Sequence, residues 1–238
     1  NCVDNDDDGN DADVDEDGDL DLFMTHIRNE SNTWYRNDSG VFSDVTILTG
    51  LSAASRDMTG FGMGYQDFDH DGFLDLFVTN GRVLRTRDSD GTDDPYAELD
   101  QLFQGEGGGR FHEVMPKGAV ANAVKYTGRG CAFGDLDNDG DADIVVINNN
   151  GPGQILVNEA PKAGGSVTLT LHDRDGITAL GAQLEIHCGD RVLHRHVARS
   201  YSYCSSNDPR IHVGLATAAQ IDRVAVKWLD GTRSEHGP

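Results

Sequence analysis

Long hydrophobic runs are missing from this sequence. The longest uninterrupted apolar stretch is the four residues 144–147, against the roughly 20 that a membrane-spanning helix needs, so neither a transmembrane helix nor membrane insertion is expected. Positive charge is also scarce: 19 Lys and Arg face 41 Asp and Glu, a formal net charge of −22 in 238 residues. So acidic a surface repels phosphate backbones and anionic headgroups, which excludes nucleic acid and anionic lipid as partners. No charged-then-apolar leader opens the chain, which starts at Asn1 inside an acidic run. A signal peptide is therefore expected to lie upstream or to have been removed, and the sequence reads as the C-terminal part of a longer chain. Catalytic signatures are lacking as well: there is no G-x-S-x-G, phosphate loop, H-E-x-x-H or dinucleotide fingerprint. What the chain does have is enough apolar material, 37% of residues, to bury a core at this length.

The acidic excess is local. Residues 1–160 hold 33 Asp and Glu against 10 Lys and Arg, whereas residues 161–238 hold 8 against 9. Between them, residues 161–165 (Pro, Lys, Ala, Gly, Gly) form a short stretch suited to a linker, which places a domain boundary between 1–160 and 161–238. A like-charge block without apolar residues would read as disorder, but apolar residues interrupt this one throughout.

Within the acidic part a pattern D-x-D-x-D-G-x-x-D occurs three times without gaps, at 13–21, 67–75 and 135–143. The repetition reaches further, because Thr59 and Gly60 precede the second copy by the same eight residues as Thr127 and Gly128 precede the third. Copies begin 54 and then 68 residues apart, with short aromatic segments between them that end in Gly-x-Phe (Gly40 to Phe42, Gly109 to Phe111). Periods of roughly 40–60 residues with about four short strands each are those of propeller blades. The segments after the loops alternate: Leu74, Leu76 and Val78 oppose Asp75, Phe77 and Thr79, and Ala142, Ile144 and Val146 oppose Asp143, Val145 and Ile147. Period two predicts strands. Helical signals are few; 81–100 reads as a long loop with one helical turn near 96–99. The fold class expected is all-β.

The loop chemistry is that of a cation site. Oxygens at positions 1, 3 and 5 of a tight loop converge, Gly at 6 permits the sharp turn, a carbonyl at 7 joins them and a later carboxylate closes the shell. In the first copy these are Asp13, Asp15, Asp17, the carbonyl of Asp19, and Asp21; in the second, Asp67, Asp69, Asp71, the carbonyl of Phe73, and Asp75; in the third, Asp135, Asp137, Asp139, the carbonyl of Asp141, and Asp143. An EF-hand would carry Glu at position 12, where Met24, Val78 and Val146 stand, so the sites are strand-loop-strand rather than helix-loop-helix. Five or six protein oxygens suit Ca²⁺ better than Mg²⁺, which keeps its waters, and Zn²⁺ is disfavoured by the absence of Cys from the loops. His70, at a variable position, is expected to point outward. One such motif could be a solvated turn; three in register argue against that. A further run at 4–10 matches positions 1, 3, 5 and 6 but has Ala12 at position 9, and is not expected to be a full site. Calcium removal is expected to loosen the blades.

These residues resemble the FG-GAP/VCBS calcium-binding propeller repeat of integrin α-subunits. The tail, through Gly181 to Ile186, Ser205 to Leu215, Val224 to Trp228 and Asp230 with Gly231, is similar to the ASPIC/UnbV domain, and the two together resemble the cartilage acidic protein family and its bacterial relatives. The tail departs at Trp228, Leu229, Asp230 and Gly231, where that family has Trp-Pro-x-Gly. The resemblance implies a partial β-propeller of two to three blades followed by a small C-terminal β-rich domain. About seven blades close such a ring, so the missing N-terminal blades of the same parent chain are an implied partner, docking at an open sheet edge.

Other constellations carry less. Cys188 precedes a Gly-Asp turn and Cys204 follows the next strand, which leaves a cross-strand disulfide open in an oxidising compartment; Cys131 is expected to be a buried thiol, and Cys2 has no reading. His194 and His196 share a strand face but lack a third ligand for a transition metal, and a structural hydrogen bond is expected of His212. Ser205, Ser206, Asp208 and His212 lie too close in sequence to converge as a triad, so no enzyme activity is expected. The residues and the resemblance point to a calcium-binding adhesion or interaction scaffold with a protein or glycan ligand. Its expected location is secreted or at the cell surface, or the periplasm or outer surface of a bacterium. One alternative is the non-catalytic end of a secreted propeller enzyme acting on polysaccharide or a redox substrate. Another is a structural matrix component without a specific ligand.

Overall fold

A computed structural model describes residues 11–85 and 94–237. Cys2, the acidic run at 4–10 and part of the expected 81–100 loop lie outside the described residues.

The chain folds into consecutive antiparallel sheets. Strands β1 (Asp11–Ala12), β2 (Asp21–Met24), β3 (Thr33–Asp38) and β4 (Val41–Asp44) pair in sequence order, as do β5 (Gly60–Gln66), β6 (Asp75–Asn80), β7 (Gln101–Gly105) and β8 (Phe111–Glu113). A third sheet has three described strands, β9 (Gly128–Gly134), β10 (Asp143–Asn148) and β11 (Gln154–Leu156). Neighbour-to-neighbour meanders of this kind are propeller blades, two of four strands and one of three; among the described residues there is no closed barrel. Each acidic repeat joins the first strand of a sheet to the second, with Gln66 opposite Asp75 and Gly134 opposite Asp143 just where the loop leaves the ladder.

Stacking of the sheets explains the alternation. β6 is buried along its whole length because both its faces are covered. Leu74, Leu76 and Val78 join Phe23, Trp34, Phe103 and Phe111 in a core between the first two sheets. Phe77 faces the other way, into a core with Cys131, Phe133, Ile144 and Val146 of the third. A glycine two residues beyond the Thr59-Gly60 pair also acquires a cause. β5 and β9 cross closely, and a Cβ on Gly62 would lie 2.7 Å from the Cys131 amide nitrogen, so only glycine admits that approach.

The C-terminal residues form β12 (Ser166–Leu169), β13 (Gln183–Cys188), β14 (Arg191–His196), β15 (Ile211–Gly214), β16 (Arg223–Lys227) and β17 (Arg233–His236). β12 pairs with β15, and the others form a sheet in the order β14-β13-β16-β17. Their own core holds Leu184, Ile186, Leu193, Val213 and Val226. Among the described residues the helical elements are one five-residue helix, α1 (Leu51–Ser55), and 3-10 turns at Thr46–Leu48 and Lys117–Ala119.

One expectation needs correction, and the cysteines left open are placed. The turn lies earlier than 96–99, at 95–96, where Ala97 N–H donates to the Asp94 carbonyl at 3.3 Å, and Ala97 and Glu98 then make isolated bridges to Gly81 and Tyr126. Cys188 and Cys204 are both free; Cys188 is drawn into the C-terminal core at the end of β13, whereas Cys204 sits exposed in a loop with φ 50°. Cys131 is a buried thiol, and burial pushes it up to about 12. Within the 161–165 stretch, Ala163 N–H donates to the Asp69 carbonyl at 2.7 Å.

Candidate metal centre

The three loops share one backbone. Position 4 is left-handed in each, at Glu16 (φ 62°), His70 (61°) and Asn138 (61°), and so is the glycine at position 6, at Gly18 (99°), Gly72 (86°) and Gly140 (96°). The first Asp holds this turn from inside, its Oδ2 accepting the position-6 N–H: Gly18 to Asp13 at 2.8 Å, Gly72 to Asp67 at 2.9 Å and Gly140 to Asp135 at 3.2 Å. The last Asp anchors it to the sheet. One of its oxygens accepts the position-2 N–H (Val14 to Asp21 3.1 Å, Phe68 to Asp75 2.9 Å, Leu136 to Asp143 2.9 Å). The other accepts an N–H from beyond the second strand (Asn37 to Asp21 2.9 Å, Gly105 to Asp75 2.8 Å, Asn158 to Asp143 2.9 Å).

In the first two loops this wiring turns the side chains at 1, 3 and 5 toward one point. Asp13, Asp15 and Asp17 each bring a carboxylate oxygen within 4.8 Å of the others, as do Asp67, Asp69 and Asp71; in the third loop the grouping is Asp135, Asp137 and Asp143. Asp139 lies outside that group and accepts the Asp141 N–H at 3.0 Å. Asp21 and Asp75 likewise sit outside the tight groups of their loops, each with both oxygens on backbone N–H groups. Position-7 side chains turn away: Asp19 accepts the Ser39 N–H at 2.7 Å, and Asp141 pairs with Lys162 Nζ at 2.7 Å.

Burial without a counter-ion strains these carboxyls. It pushes Asp13 up to about 6 and Asp21 to about 7, with repulsion from neighbouring loop carboxylates adding to it. In the middle loop burial, then Asp71, raises Asp67 to about 7, and burial raises Asp75 to about 8. Asp15, Asp71 and Asp137 are also raised, burial first and neighbouring carboxylates after it. Asp15 Oδ1 and Asp67 Oδ1 are buried with no hydrogen-bond donor. Converging oxygens, raised acids and orphaned lone pairs are the conditions a hard divalent cation relieves, and the donor set, oxygen throughout, fits calcium.

His70 does not point outward. It is 4% exposed, its ring centroid 4.9 Å from that of His212 and its Nε2 3.1 Å from Asp141 Oδ1. The reason is a roof: the C-terminal residues lie over the loops. His212 Nε2 is buried without a hydrogen-bond partner, so the structural bond expected of it is not made there, and burial with His70 beside it holds the imidazole down to about 4. Ser205 Oγ donates to the Tyr203 carbonyl and Asp208 pairs with Arg210, so neither turns to His212. Nothing local in the loops signals the roof, whose cations Lys162, Arg191 and Arg210 come from far along the chain.

Comparison with known families finds the FG-GAP-like repeat at residues 13–78 and again at 67–146, more than half of the sequence. The chain belongs to the FG-GAP-like repeat family. The two matches of the FG-GAP-like repeat begin at Asp13 and Asp67, the first residues of two of the loops, and the third loop falls inside the second match. Residues 172–237 match the ASPIC and UnbV domain, in the order expected. No curated protein matches the chain. FG-GAP-like repeats are typical of extracellular proteins and build β-propeller-type interaction modules. No helix among the described residues is long and apolar enough to cross a membrane.

Proposed function

We propose that the chain is a calcium-binding, non-catalytic scaffold of an extracellular interaction protein, made of propeller blades in 1–160 and a capping β domain in 161–238. The observation that carries this reading is the threefold recurrence of one loop backbone with its acidic side chains gathered inside it. The calcium-holding groups would be Asp13, Asp15, Asp17 and the Asp19 carbonyl; Asp67, Asp69, Asp71 and the Phe73 carbonyl; and Asp135, Asp137, Asp139 and the Asp141 carbonyl, with Asp21, Asp75 and Asp143 closing each loop. Calcium supplies positive charge where burial raises the carboxyls of Asp13, Asp21, Asp67 and Asp75. The chain's own residues do the rest: the last Asp of each loop ties the ion's surroundings to a neighbouring strand, so a filled loop stiffens the edge of a blade. Sites of this kind in extracellular modules bind at roughly 10⁻⁴–10⁻³ M, which suits the millimolar calcium outside cells.

A protein or glycan partner would engage blade surfaces rather than the loop face, which the C-terminal residues already cover. Further blades of the parent chain would extend the stack. The test is calorimetric titration of Ca²⁺ into metal-depleted protein, with a glycan and protein array screened in calcium and in chelator. Up to three sites and calcium-dependent partner signals are expected; no heat at millimolar calcium would refute the reading.

A further inference from the structure

In the middle loop five consecutive carbonyls are each taken by a donor from the C-terminal residues. Lys162 Nζ donates to Phe68 O at 3.1 Å, Ala163 N–H to Asp69 O at 2.7 Å and Ala216 N–H to His70 O at 3.0 Å. Arg191 then forks, Nη1 to Asp71 O at 3.0 Å and Nη2 to Gly72 O at 2.8 Å. The series stops at Phe73, whose position-7 carbonyl is the one a calcium loop turns inward to its ion; Phe73 instead offers its ring, 4.2 Å under the Arg191 guanidinium. A Cβ on Gly72 would lie 2.2 Å from Arg191 Nη1, so the guanidinium seats directly on the turn glycine. The third loop gives two carbonyls, Gly140 O to Ser166 Oγ and Asp135 O to Arg210, beside the Lys162–Asp141 pair, and the first is met by Arg191 at Glu16, 3.4 Å away.

We propose that the loop face is the docking surface of the chain's own ASPIC and UnbV domain, that docking and calcium binding are cooperative, and that Arg191 is the positioning residue of the middle site. This rests on the calcium reading of the loops. Five carbonyls point outward in register only when the loop holds its tight form, and that form presses carboxylates together unless a cation lies among them. Metal from within and donors from without therefore select the same backbone, and each raises the affinity of the other by the same factor. The sign of the Arg191 effect separates this from simple electrostatics. As a nearby positive charge alone, Arg191 repels Ca²⁺, and its removal would tighten the site. As a clamp on the loop backbone, its removal weakens the site.

The experiment titrates Ca²⁺ by calorimetry into the full chain carrying Asp17→Asn and Asp137→Asn, both at exposed positions, so that the middle loop dominates. Adding Arg191→Gln is expected to weaken calcium about tenfold, within the 5–150-fold span common for coupled sites. Arg191→Lys, which keeps the charge but loses the two-carbonyl fork, is expected not to restore it. In the unmutated chain, hydrogen exchange at the Ala163 and Ala216 amides is expected to accelerate when calcium is withdrawn. Unchanged or tighter calcium binding in Arg191→Gln overturns the proposal, as does exchange at those amides that ignores calcium. Absence of calcium binding by the unmutated chain would instead sink the calcium reading itself.

Discussion

Raising the pH of the metal-free protein should destabilise it, the reverse of ordinary acid denaturation. Asp75 is 3% exposed and its carboxyl is raised from 3.8 to about 8; Asp67 is raised to about 7. For a raised acid the folded state binds the proton more tightly, so the stabilisation is complete below the unfolded value near 4 and is lost as pH climbs through the folded value. At about 1.36 kcal/mol per pH unit, the rise at Asp75 corresponds to on the order of 5 kcal/mol at pH 8 and above. Asp67 shares the loop, and one retained proton relieves both, so the two are not summed. About 4 kcal/mol of this is lost between pH 5 and pH 8, and for a chain of this size about 2–4 °C of melting temperature accompanies each kcal/mol, giving a fall of about 8–16 °C. The assay is thermal unfolding followed by circular dichroism at pH 5, 6, 7 and 8.5, in metal-depleted buffer and in millimolar calcium. The melting temperature should drop across that window without metal and hold in calcium, where the ionised carboxylates are paired. A metal-free melting temperature that is flat or rises from pH 5 to 8.5 would refute the reasoning.

Asp75→Ala orphans the buried Phe68 and Gly105 amides, at about 1–3 kcal/mol each, yet it also removes a strained carboxyl, so in metal-free protein its cost by denaturant melts should be greater at pH 5 than at pH 8.5. Gly62→Ala drives a Cβ into the β9 backbone and should cost about 1–3 kcal/mol; a melting temperature equal to that of the unmutated chain would contradict the close crossing of β5 and β9. Mass mapping after native thiol labelling should find Cys204 modified and Cys131 untouched until unfolding, with reductant leaving the melting temperature unchanged.

The loops were legible because their chemistry depends on residue type at fixed spacing: carboxylates at 1, 3 and 5 gather in the first two loops, whereas in the third Asp143 stands in the group in place of Asp139. Strand alternation at Leu74, Leu76 and Val78 was legible too, although the burial of Phe77 on the opposite face depends on a third sheet that no local pattern announces. Long-range packing explains what was missed. His70 occupies a variable position whose outward direction becomes inward once residues some 90 to 145 further along roof it. Arg191 looks like any strand arginine in sequence, and its role depends on two carbonyls 119 and 120 residues before it. The cysteines at 188 and 204 have a spacing compatible with a bridge, but strand ends fix side-chain directions, and one thiol enters a core while the other faces out.

The most direct measurement is anomalous diffraction from crystals of the chain grown in millimolar calcium. Three calcium peaks are expected, each about 2.3–2.6 Å from the carboxylates at positions 1, 3 and 5 of a loop and from the carbonyl at position 7. Loops of unchanged shape that hold only water at that concentration would contradict the claim that these acidic repeats are calcium sites.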